Sequence, residues 1–149
     1  MYKHYWKEGS RIKADPEKAA EVFERLEKSE GLTAETLLDA SRDKDSPLHN
    51  CFEWDNNIAA EQYRLIQARQ MIRSLCVEIV PEEKAVTRAY FKICDKGYEQ
   101  TQEILKVQEK RQSLLEQALS ELKAFRRKYS SLQELSKVFE DIDMLGEVS

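Results

Sequence analysis

The apolar residues of this chain change their repeat twice, and that change limits the folds open to it. From Ala19 to Leu75 they recur three and four positions apart. Between Val77 and Ile93 β-branched and aromatic residues take over, and from Ile104 the helical spacing returns. A repeat of 3.6 buries one stripe of a helix, a repeat near 2 buries one face of a strand, and neither pattern substitutes for the other. The expected fold is therefore α+β and predominantly helical: three helices, a β-hairpin, then two more helices.

Local signals place the elements. Asp15 is a helix cap with Pro16 in the first turn, Ala19, Val22, Phe23 and Leu26 form the inner stripe, and Gly31 ends the helix. Thr33 opens a shorter helix to about Ala40 that buries Leu37 and Leu38. Residues 41–50 read as a loop around Pro47, and Leu48, Phe52 and Trp54 plug the core from it. Asp55 is the next cap, for a helix over 56–75. A hairpin follows, turning at Pro81-Glu82-Glu83-Lys84 and returning as one strand over 85–93. Asp95-Lys96-Gly97 is a second turn, and Tyr98 starts a short third strand.

The apolar stripe Ile104, Val107, Leu114, Leu115, Ala118, Leu122, Phe125 and Tyr129, interrupted by Arg111, predicts one helix over 101–129. At 1.5 Å per residue it is about 43 Å long. Ser131 with Glu134 forms a capping box for a final helix bearing Leu132, Leu135, Phe139 and Ile142, and the short link makes the two an antiparallel helical hairpin. At 149 residues a single domain is expected, with a basic aromatic arm (1–14), a helix-and-hairpin body (15–97) and the helical hairpin (98–149).

Composition excludes several classes. No apolar run approaches the roughly 20 residues that span a bilayer, so no membrane partner is expected. The first residues lack the apolar stretch of a secretory signal. Three cysteines, Cys51, Cys76 and Cys94, are odd in number and widely spaced, which predicts reduced thiols in a cytoplasmic protein. His49 and Cys51 are the one close pair of metal-ligand type, too few for a zinc site. No glycine loop could cradle a phosphate. His4 and His49 sit in no nucleophile motif, and Glu82-Glu83-Lys84 lies in a turn where it could not hold Mg²⁺ on a core strand. The expectation is a non-enzymatic protein without metal, cofactor or small-molecule substrate.

Charge is unevenly spread. Residues 1–14 carry +3, residues 15–55 carry −7, and residues 56–75 carry +2 from three arginines and one acid. On the 56–75 helix, Gln62, Arg69 and Arg73 converge within about 40° of arc at 100° per residue. This window separates two apolar sides, Ala60, Ala68, Met71, Ile72 and Leu75 on one and Ala59, Tyr63 and Ile66 on the other. Arginine and glutamine pair well with guanine and adenine edges. Gln62, Arg69 and Arg73, supported by Lys84 at the hairpin tip and by Lys7 and Arg11 of the arm, are therefore candidate DNA contacts. The order of elements loosely matches a winged helix-turn-helix. The competing reading pairs these arginines with acids of the first helix. Arg64 falls inside the apolar arc and needs a carboxylate, from Glu53 or Asp55.

Several segments also resemble one family. They are Trp6-Lys7-Glu8-Gly9-Ser10-Arg11, Ser46-Pro47-Leu48-His49, Phe52-Glu53-Trp54-Asp55, the run from Ala59 to Arg69, Ile72-Arg73-Ser74 and Phe125-Arg126-Arg127-Lys128-Tyr129. Together they resemble small uncharacterised proteins encoded by phages and prophages of Gram-positive bacteria. The resemblance implies a bacterial host cell and brings no assigned activity. The alternative to DNA binding is a protein-interaction or oligomerising module built on the 101–129 helix, an inhibitor of a host protein included.

Overall fold

The computed structural model describes residues 2–55, 58–83 and 85–148, without the side chains of residues 58, 59, 147 and 148. Its order is β1 (Lys3–Trp6), α1 (Pro16–Lys28), α2 (Ala34–Ser41), α3 (Ile58–Ser74), β2 (Leu75–Val80), β3 (Ala85–Arg88), β4 (Tyr90–Cys94), β5 (Gly97–Gln100), α4 (Thr101–Lys106), α5 (Gln108–Lys128) and α6 (Ser136–Val148). The protein is α+β and mostly helical. The chain divides into two compact units, Met1–Ile104 and Leu105–Ser149, with the boundary inside α4. Among the described residues, no helix is long and apolar enough to cross a membrane.

In the first unit two of the predicted caps form, while the start foreseen after Asp55 for the third helix lies outside the described residues. Asp15 Oδ1 accepts from the Glu17 amide at 3.4 Å, and Pro16 starts α1. Thr33 and Thr36 form a reciprocal capping box on α2 at 3.0 and 2.9 Å. One core gathers Phe23 of α1, Leu37 and Leu38 of α2, Leu48 of the loop, Ile72 of α3, Leu75 and Val77 of β2, and Tyr90 of β4. Phe23 and Tyr90 meet edge to face, ring centroids 5.5 Å apart.

The basic N-terminal segment is no loose arm. Lys3–Trp6 pairs antiparallel with Leu75–Glu78, giving a sheet of order β1-β2-β3 in which the helix α3 runs straight into the central strand. Lys7 continues the contact by donating its amide to Ser74 O at 2.7 Å, and Trp6 Nε1 donates to Ala14 O at 2.6 Å.

The structure departs from the sequence expectation at three breaks. The strand foreseen over 85–93 divides at the buried Ala89. Its amide bonds Leu75 O while its carbonyl accepts from Thr101, so the chain pivots there into a separate two-stranded sheet of β4 and β5. The helix foreseen over 101–129 divides at Val107, whose extended backbone (φ −107°, ψ 117°) starts α5. β-branching makes that residue a poor helix interior. The capping box at Ser131 does not form. Leu132 instead opens a 3₁₀ turn, Gln133–Leu135, before α6 begins.

The second unit is a helical hairpin. Phe139 and Ile142 of α6 are buried, Phe125 of α5 lies against Phe139, and Arg126 forks onto Asp143 at 2.7 and 3.0 Å. That fork holds the Asp143 carboxyl below its ordinary range.

Three expectations follow. Gly97 sits at φ +129°, where a Cβ would stand 2.5 Å from Leu32 O across the Leu32–Tyr98 bridge. Gly97→Ala should cost about 3 kcal/mol in urea unfolding. Gly9→Ala, at φ +88° with open space around it, should cost about 1 kcal/mol. Glu27 accepts from the Gln100 amide at 2.8 Å and from Nε2 at 2.6 Å. Burial raises its carboxyl above the ordinary carboxylate value, which those bonds only partly offset. The folded state therefore holds the proton more tightly than the unfolded chain. Its contribution is complete below the ordinary value and is lost as pH rises through the raised one. Unfolding curves of Glu27→Gln should show a flatter loss of stability across that window than the parent.

Candidate nucleic-acid interface

Helix α3 has one covered side and one open side. Ala68, Met71, Ile72 and the following Leu75 are buried in the core. Tyr63 and Ile66, expected on a second packed side, are 53% and 48% exposed. The polar window is thus wider than predicted. Gln62, Tyr63, Ile66, Gln70 and Arg73 form an exposed strip along the helix.

Arg64 occupies the covered side at 4% exposure. Its Nε donates to Glu53 O and its Nη2 to Asp55 O, the latter at 2.6 Å, while Nη1 lies 3.2 Å from Glu61 Oε2. The expected ion pair with Glu53 or Asp55 does not form. Glu53 and Asp55 contribute carbonyls, and their exposed side chains stay in water. The carboxylate comes from Glu61, one helical turn before Arg64, which also binds Arg42. Both guanidinium groups lie over the Trp54 ring, at 5.1 Å for Arg64 and 5.8 Å for Arg42. His49 stacks on the same indole at 4.9 Å and bonds Ser41 O through Nδ1, while Trp54 Nε1 donates to His49 O. This cluster fixes the long loop between α2 and α3.

The other two arginines are differently placed. Arg69 approaches Glu35 of α2, not an acid of α1, at 4.0 Å with its side chain 44% exposed. At that distance and exposure such a pair contributes about 0–1 kcal/mol. Arg73 is exposed, and among the described residues it has neither an ion-pair nor a hydrogen-bond partner. Lys7 is exposed beside Ser74, and Arg11 is exposed further along the same segment. Lys84 lies outside the described residues. The acidic turn before it, Pro81–Glu83, is exposed.

Beside the open strip lies a cavity of about 300 Å³, walled by Arg11 and Lys13, by Asn50 and Cys51 of a 3₁₀ turn, and by Tyr63, Gln67 and Gln70 of α3. Burial raises the Cys51 thiol above its ordinary value, although the amides of Lys13 and Ala14 pull the other way. Cys76 and Cys94 are free thiols on different sheets. Among the described residues no group of three metal-ligand side chains comes together. Sequence reasoning missed Lys13, Tyr63, Gln67 and Gln70 as a set, though the 63, 67, 70 spacing of one helix stripe is legible. The chain matches no family model, no curated protein and no solved structure.

Removing the buried guanidinium tests the α3 anchor. Arg64→Ala leaves two carbonyls without their donors and should cost about 3 kcal/mol by chemical denaturation. Arg64→Lys should recover little of it, because an ammonium cannot fork across both carbonyls.

Proposed function

We propose that this protein binds DNA through the open strip of α3, without catalysing a reaction. The observation that carries the reading is Arg73, an exposed arginine with no internal partner among the described residues, in line with Arg69 and Gln62. An unpaired guanidinium beside glutamine side chains suits phosphate contact and base-edge pairing alike. The pairing of β1 with β2 brings Lys7 to the end of α3, and Arg11 follows beside the same helix, which adds two cations against the one acid of that segment, Glu8.

Element order lends support. A strand, three helices and a hairpin, with the strand and hairpin forming one antiparallel sheet, is the layout of a winged helix-turn-helix with α3 as reading helix. The likeness is one of arrangement, since the segment between α2 and α3 is far longer than the usual turn of about 3–4 residues. The resemblance of its segments to phage and prophage proteins sets this binding role in a bacterial host cytoplasm.

A second reading has its own observation. The 21-residue α5 buries no side chain, and it leaves Leu115 and Phe125 exposed. A helical hairpin this small gains stability by pairing with another copy. Light scattering across a concentration series separates the readings: a strict monomer removes self-association.

For DNA binding, fluorescence anisotropy with a labelled duplex at low ionic strength should give an affinity that falls steeply with salt. The double variant Arg69→Ala/Arg73→Ala should weaken binding about tenfold and reduce the log–log salt slope by about 2. No salt-sensitive binding by the parent protein would sink the proposal.

A further inference from the structure

We propose that the cavity beside α3 receives one unpaired nucleotide, with its phosphate on Arg11 and Lys13 and its base between Tyr63 and the amides of Gln67 and Gln70. The inference rests on the nucleic-acid reading of α3 and names what that surface would hold beyond a duplex backbone.

Four observations converge. The volume, about 300 Å³, lies at the lower end of small-molecule sites, matching one nucleotide and excluding a helical duplex. The cavity has two exposed cations, Arg11 and Lys13, and none of its described lining residues is acidic, so a phosphate meets only attraction there. Tyr63 presents a largely exposed ring, and an aromatic ring at a pocket mouth is a sequence-tolerant platform for a base. Gln67 and Gln70 line the wall from one face of α3, and Gln67 Oε1 is buried without a hydrogen-bond partner among the described residues. Among the described residues no neighbour therefore claims that oxygen. Each amide carries a donor and an acceptor, the mixture a base displays on its pairing edge once it has left its complement.

Cys51 in the same wall supplies an internal reporter. An occupant shields its thiol, whereas Cys94, exposed on β4, stays open to reagent. The full chain is titrated by calorimetry with each of the four deoxynucleoside 5′-monophosphates and with inorganic phosphate. Alkylation of each cysteine is followed by mass spectrometry over the same titration.

The expected result is saturable binding of one or more mononucleotides at roughly millimolar affinity or tighter. Inorganic phosphate should bind at least about tenfold more weakly, because it lacks the stacking of a base. Cys51 alkylation should slow in proportion to occupancy while Cys94 keeps its rate. Tyr63→Ala, at a position exposed enough to leave the fold intact, should weaken the mononucleotide about tenfold. Gln67→Met should weaken it also.

Three outcomes overturn the assignment: no mononucleotide binding, phosphate binding as tight as the nucleotides, or nucleotide binding that leaves Cys51 reactive. Duplex binding measured in parallel separates the two ideas. A duplex bound without any mononucleotide removes the cavity assignment alone, and binding of neither removes both.

Discussion

The strand Leu75–Val80 has hydrogen-bonding groups on both of its edges, and the packing of this protein follows from how they are satisfied. One edge takes the hairpin partner Ala85–Arg88, and the other takes Lys3–Trp6 from the start of the chain. An unpaired central strand beside a core that includes Leu75 and Val77 would leave backbone groups without partners. Closing that edge with the N-terminal segment draws Lys7 to the end of α3 and continues the chain past α3 as the cavity wall of Arg11 and Lys13. The grouping of Lys7, Arg11 and Lys13 with the cations of α3 is thus a consequence of sheet completion. Its charges come from two parts of the chain about 60 residues apart in sequence.

Helix α3 divides its arginines by environment. Arg64 is desolvated, and three acceptors from Glu53, Asp55 and Glu61 compensate it. Its work is to tie the long α2–α3 loop to the helix start. Arg69 and Arg73 lie on the opposite flank, Arg69 half-exposed with Glu35 at the limit of contact and Arg73 exposed. Burial makes the first arginine structural, whereas the other two keep contact with water. The Trp54 ring adds a flat surface that both Arg42 and Arg64 use, so one indole organises two cations and a histidine.

The C-terminal unit is built differently. Its two helices meet through a small aromatic cluster, Phe125, Tyr129 and Phe139, and through the bidentate Arg126–Asp143 pair. The arginine-rich run at the end of α5 is therefore partly committed to its own hairpin, and Lys128 lies over Tyr129 at 5.2 Å. A helix C-terminus favours such cations regardless of any ligand.

Much of this was legible in the residues. Asp15-Pro16, Thr33 and Gly31 fixed helix ends, because caps act on neighbouring backbone groups alone. The change of apolar repeat located the hairpin, and an arginine at an apolar helical position announced a compensated buried charge at Arg64. Tertiary structure decided what depends on distant partners. It split strand 85–93 at Ala89 because Leu75 and Thr101 claim that residue's two backbone groups, and it broke the last long helix at Val107. It also uncovered Tyr63 and Ile66, whose hydropathy suggested burial. Periodicity reports which residues share a helix face, whereas only the neighbouring elements determine whether anything is there to cover it.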